Sequence, residues 1–149
     1  MPLSTFPYLE LISAGWFGTI FIGFGVLYMM YPSRALSFFE LLYPASTTTL
    51  KEGNLKTAPP DGKKITDCLL AVIGLWDVYI GVVVYLAAFR SSRNVLGWIV
   101  LAAGLVATGD GAVCYSMVGK GHWNHWGYAR MIVGLGAVMI GIVDWLLVA

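Results

Sequence analysis

Four stretches of this chain run almost without charge for long enough to cross a bilayer, and that fixes the solvent in which it must fold. About 20 apolar residues, rising about 1.5 Å each in a helix, cover a hydrocarbon core of about 30 Å. Leu11 to Tyr31 is such a run and carries no Asp, Glu, Lys or Arg. No basic segment precedes it and it outlasts the roughly 7 to 15 residues of a signal-peptide core, so it reads as a retained span. Three further runs follow, each apolar apart from one acid and, on the last, an Arg near its start. The sequence therefore predicts one integral membrane domain over residues 1–149, with spans near 9–31, 68–89, 95–118 and 128–147.

Composition agrees. Hydrophobic residues make up 58% of the 149 and charged residues 11%, whereas a soluble domain carries roughly 25% charged residues. A net charge of +1 with scattered lysines gives no basic face for nucleic acid. Cys68 and Cys114 fall inside apolar segments and make no disulfide framework. No phosphate-binding glycine loop, nucleophile elbow or CxxC occurs, so no cofactor is expected.

The fold expected is all-α, a bundle of four antiparallel transmembrane helices. Arg90–Asn94 and Gly119–Gly127 are short connections that force neighbouring spans to lie side by side. Between the first two spans, Ser33–Tyr43 mixes aromatic and leucine residues with Arg34 and Glu40 and reads as an interfacial helix. Pro44–Lys64 carries a Thr run, Pro59, Pro60 and two glycines and reads as irregular, either a cover for one mouth of the bundle or a loose linker. Arg34, Lys51, Lys56, Lys63, Lys64 and Lys120 fall on one side of such a bundle and Arg90 and Arg93 on the other. The positive-inside bias then puts the richer side in the cytoplasm.

Glycines recur at intervals of seven on every span: Gly18 and Gly25; Gly74 and Gly81; Gly97, Gly104 and Gly111; Gly127, Gly134 and Gly141. Small residues on one helix face mark where helices approach closely in a bilayer. Asp77, three after Gly74, should point inward with its stripe, and Arg130 and Asp144 should do so on the fourth span. Asp110, beside Gly111, lies about 100° off its stripe, at the border of that face. By depth, Asp77, Asp110 and Arg130 can converge, while Asp144 and Glu10 belong toward the opposite face as structural anchors.

An acid at the centre of a spanning helix costs roughly 2.5–3.5 kcal/mol on insertion scales, so it needs a partner, water, a proton or a function. One carboxylate beside Arg130 would stay ionised and the other, drier, would stay protonated, giving a base and an acid in one pocket. That pairing suits epoxide opening. The ionised Asp draws a proton from the nucleophile, Arg130 orients it, and the protonated Asp donates to the ring oxygen. The Asp, Arg, Asp logic is similar to that of the small limonene-type epoxide hydrolases in chemistry, not in fold. An ion pair that merely locks three helices remains the bland alternative.

Around these catalytic candidates, Trp76 and Tyr79 flank Asp77, Tyr115 follows Asp110, and Trp123, Trp126 and Tyr128 ring a mouth. Trp76, Tyr79, Tyr115, His122, His125 and Tyr128 are the substrate-contact candidates. Trp123 and Trp126 fit an interfacial belt better. Two histidines in HWNHW are too few for a metal site, so no metal is expected.

GLWDVYIG (Gly74–Gly81), ATGDGAVC (Ala107–Cys114) and HWNHWGYAR (His122–Arg130) together resemble a family of small four-span proteins of unknown function found in fungal secondary-metabolite pathways. The resemblance covers roughly Gly74–Gly134. It implies a tailoring step on a polyketide or terpenoid at an endomembrane such as the endoplasmic reticulum, with epoxide opening among such steps. Asp77, Asp110 and a turn histidine are the positions it carries over, and Trp76 stands where relatives are expected to have Arg. The expected partners are the bilayer and an apolar small-molecule substrate, with a homodimer left open. Isomerisation or proton-initiated terpenoid cyclisation, and a non-catalytic membrane scaffold, are the competing functions.

Overall fold

The computed structural model describes residues 7–44, 61–90 and 92–148, and its described residues are helical apart from short turns. The helices are α1 (Pro7–Met30), α2 (Pro32–Phe38), α3 (Asp61–Arg90), α4 (Arg93–Val118), α5 (His122–Met139) and α6 (Ile142–Val148). Leu11–Met30, Gly62–Arg90 and Arg93–Val118 are long and apolar enough to cross a membrane. The fourth expected span is not one helix. It is α5 and α6, separated at Ile140 and Gly141, where Gly141 takes a left-handed φ of 82°. Arg93 donates from its guanidinium to the Val138 carbonyl at 3.0 Å, so a side chain serves the backbone beside the break.

α1 packs chiefly against α3, and α4 chiefly against α5. Glycines set both seams. A Cβ at Gly25 would fall on the Gly74 carbonyl oxygen, and one at Gly81 would lie 2.6 Å from that of Gly18. Residue numbers fall on α3 as they rise on α1. In the second seam Gly97 meets Met139 and Ile140, Gly104 meets Val133, and Gly111 meets the Trp126 indole. The backbones approach closely where no side chain intervenes, which is how apolar helices gain contact without a hydrophobic drive.

The last stripe behaves differently. Gly127 and Gly134 have open space where a Cβ would be. The buried face of α5 is His122, His125, Ala129, Ile132, Gly136 and Met139. The expectation that Gly127, Gly134 and Gly141 point inward is therefore corrected, and with it the inward placement of Arg130.

Two local expectations also shift. The interfacial helix is shorter than Ser33–Tyr43: it starts at Pro32, which suits a first turn, and ends before Glu40, whose φ of 59° turns the chain. The chain from Asp61 to Lys64 is already helical, and HWNHW is the first turn and more of α5, entered through left-handed Gly119 and Gly121. Lys51, Lys56 and the rest of the connection over 45–60 lie outside the described residues, as does the side chain of Glu10.

Candidate functional site

Between the two helix pairs lies a cavity of about 330 Å³ lined by α1, α3, α4 and α5, with Leu36, Phe39 and Leu41 of the α2 turn at one end. Its wall is apolar over Phe17, Phe21, Ile80, Ala103 and Ile132. The polar groups gather toward the α2 end: Tyr28, Asp77, Asp110, Cys114, His125 and Tyr128. No Lys or Arg lines it among the described residues.

Helical register explains which residues arrive there. Asp77 is one turn on from Gly74, so the seam that presses Gly74 against α1 turns Asp77 to the space beside it. Tyr28 stands three after Gly25 by the same arithmetic and reaches the same cavity from α1. Asp110 is adjacent to Gly111, which faces α5, and so projects past that seam into the gap. Asp77 is half-buried and Asp110 exposed. Neither carboxylate has a salt bridge or hydrogen bond with another described residue, and Asp110 lies within electrostatic reach of His125.

On α5, His125 and Tyr128 are held as a unit, with His125 Nδ1 and the Tyr128 hydroxyl 3.0 Å apart. Phe39 stacks on the His125 ring at 4.2 Å between centroids, and the Tyr28 ring lies parallel to Phe39 at 6.1 Å. Asn124 donates from its side-chain amide to the Phe38 carbonyl. The α2 turn is thus pinned to α5 directly over the polar end. Farther out, Tyr43 donates to Asp67, and that bond pushes its phenol above the ordinary range.

Several expected site residues are elsewhere. Arg130 is exposed, and its Nε donates to the Trp126 carbonyl one turn back at 3.1 Å. Trp76 and Tyr79 are exposed and meet each other edge to face at 5.9 Å. Neighbours in sequence do not share a helix face, so flanking Asp77 in the chain carried them away from its cavity. Tyr115 is exposed and edge-on to His122, which is buried among Tyr115, Trp123 and Trp126 with an unpartnered Nδ1 and does not line the cavity. The Trp126 indole crosses Gly111 and donates to the Thr108 carbonyl at 3.2 Å, so it also serves the α4–α5 seam. Trp123 is exposed, as a belt residue would be. Of the expected residues, Asp77, Asp110, His125 and Tyr128 share the cavity. Tyr28, Phe39 and Cys114 were not foreseen; the Gly25 offset was the available signal for Tyr28. No group of three or more metal-ligating side chains occurs among the described residues.

No curated protein and no solved structure matches the chain. One family model does, over residues 18–139, a range that contains all of the cavity's polar side chains. By that match the chain belongs to the family described as a domain of unknown function (DUF4267).

Proposed function

We propose that this protein is a membrane-embedded acid–base enzyme that opens an epoxide on an apolar polyketide or terpenoid, with Asp77 and Asp110 as its catalytic pair. The observation that carries this reading is the cavity itself: two carboxyl groups from different helices line one mostly apolar space without an ion-pair partner among the described residues. At about 330 Å³ it lies within the roughly 300–1,000 Å³ of small-molecule sites. A purely structural ion pair needs a cation; Arg130 does not supply one, and His125 neighbours Asp110 but leaves Asp77 without one.

In the reaction, the ionised carboxylate takes a proton from water or from a hydroxyl of the substrate. That oxygen bonds to an epoxide carbon as the ring C–O bond breaks. The protonated carboxyl gives its proton to the leaving ring oxygen, and the two aspartates have exchanged protonation states. The His125–Tyr128 pair takes over the orienting role first given to Arg130, because it is the hydrogen-bonded polar pair on the same wall. We place α1, α3, α4 and the α5–α6 pair as four antiparallel spans, with the α2 turn at the cytoplasmic side of an endomembrane.

Purified protein in nanodiscs, incubated with a panel of apolar epoxides, tests this by mass spectrometry. Turnover should fall by about 10²-fold or more in Asp77→Asn and in Asp110→Asn, the size of general acid–base contributions, while both variants keep the wild-type melting temperature. Undiminished turnover in both variants overturns the assignment. A product heavier by one water reports hydrolysis, and one of unchanged mass reports cyclisation or isomerisation.

A further inference from the structure

We infer that the substrate held in this cavity is an apolar molecule bearing a protonated amine. The inference rests on the cavity being the substrate site and goes beyond it by naming the charge that the site accepts. Asp77 and Asp110 reach the space from α3 and α4; neither meets a Lys or Arg among the described residues, and His125 is the basic neighbour of Asp110. An ionised carboxylate in a low-dielectric wall needs a positive partner, and Asp77, which has none, stays ionised when a ligand supplies it. Among the described residues the basic group there is the His125 ring, which neighbours Asp110; Arg130 is bound to the Trp126 carbonyl on the outside of α5 and Arg93 serves the Val138 carbonyl, so Asp77 has no cation of its own. A bound ammonium therefore fills the role that the sequence suggested for Arg130.

Other charge types fit worse. An anionic ligand would meet two acids and, among the described residues, a single histidine as its basic group. A neutral ligand would leave the ionised carboxylate unpaired. An ammonium group has only donors, and the polar end supplies acceptors for it in the carboxylates and in the Tyr28 and Tyr128 phenol oxygens. The apolar remainder, from Phe17 to Ile132, takes a carbon skeleton, and the volume of about 330 Å³ bounds its size. With the ammonium beside the ionised carboxylate, that carboxylate still takes the nucleophile's proton, and the second carboxyl keeps its own for the ring oxygen.

The test compares three probes with one skeleton, 1-aminoadamantane, 1-adamantanol and adamantane-1-carboxylate, by calorimetric titration of the protein in neutral nanodiscs near pH 7. The amine should bind at least tenfold more tightly than the alcohol, and the carboxylate more weakly than either. In the double variant Asp77→Asn, Asp110→Asn, the amine should fall to the alcohol's affinity. Equal affinity of amine and alcohol in the wild type overturns the inference while leaving the cavity as a ligand site. A preference for the amine that survives in the double variant also overturns it. Binding of no probe overturns both the inference and the cavity reading. Amine binding without any epoxide turnover upholds the inference and sinks the reaction. The wild-type comparison of probes stands whether or not the variants fold.

Discussion

At the scale of single residues, glycine carried the most information and also misled. Seven-residue spacing located the α1–α3 and α4–α5 seams, and an offset of three from Gly74 brought Asp77 to the cavity. The same spacing on the fourth span located nothing, since a Cβ at Gly127 or Gly134 would meet none of the described residues and Gly141 serves a left-handed turn. A glycine can be present for close approach, for positive φ, or for neither, and sequence alone does not separate the three. Substitution does. Gly25→Ala would place a methyl against the Gly74 carbonyl, which has no side-chain freedom to yield. Overpacking of this kind costs about 1–3 kcal/mol, so thermal unfolding in detergent should fall clearly. Gly134→Ala, with open space at its Cβ, should leave the melting temperature unchanged or raise it, because alanine removes backbone freedom worth roughly 0.5–1 kcal/mol. Equal destabilisation by both would mean that the seams do not depend on glycine contact.

At the scale of elements, spans were legible and ends were not. Hydropathy located α1, α3 and α4 because twenty apolar residues admit few other fates in a bilayer. The break at Gly141 and the early start of α5 at His122 were hidden, since both depend on left-handed glycines whose φ no pattern declares. The early start matters for the site. With HWNHW helical, His125 and Tyr128 lie one turn apart on a single face, and Asn124 points back to the α2 turn. Gly121 is needed at that junction, since a Cβ there would strike the Phe39 carbonyl and its φ is 79°. The Asn124 bond is one of the links that hold Phe39 over the cavity. Removing it in Asn124→Ala should release about 1 kcal/mol of local stability, the usual net value of one hydrogen bond. Amide exchange over Leu36–Leu41 should then quicken about fivefold while α3 and α4 keep their protection. Exchange that is unchanged over this segment would show that stacking of Phe39 on His125 suffices alone.

At the scale of the whole molecule, the number of crossings decides where the cavity opens. Among the described residues three helices qualify as spans by length and apolarity, and the C-terminal part after α4 is divided between α5, of 18 residues, and α6, of 7. At about 1.5 Å per residue these reach about 27 Å and about 10 Å, together enough for a core of about 30 Å. A broken helix in lipid needs donors for the carbonyls at the break, and the Val138 carbonyl there accepts from both the Gly141 N–H and Arg93. The seam of α5 along Gly97, Gly104 and Gly111 runs most of the length of α4, so α5 must sit at the same depth as a helix that spans. Four crossings put both termini on one face, and three put them on opposite faces. In the proposed four-span arrangement, the excess of Lys and Arg beside α2, at the start of α3 and at Lys120 puts the termini away from the cytoplasm. Reporter fusions at the two ends and an inserted tag at Lys120 read this directly. Both terminal reporters should respond as non-cytoplasmic and the tag as cytoplasmic. A C-terminal reporter on the face opposite the N-terminal one would leave α5 and α6 short of a crossing, and the polar end of the cavity would then have no fixed side of the membrane to open toward.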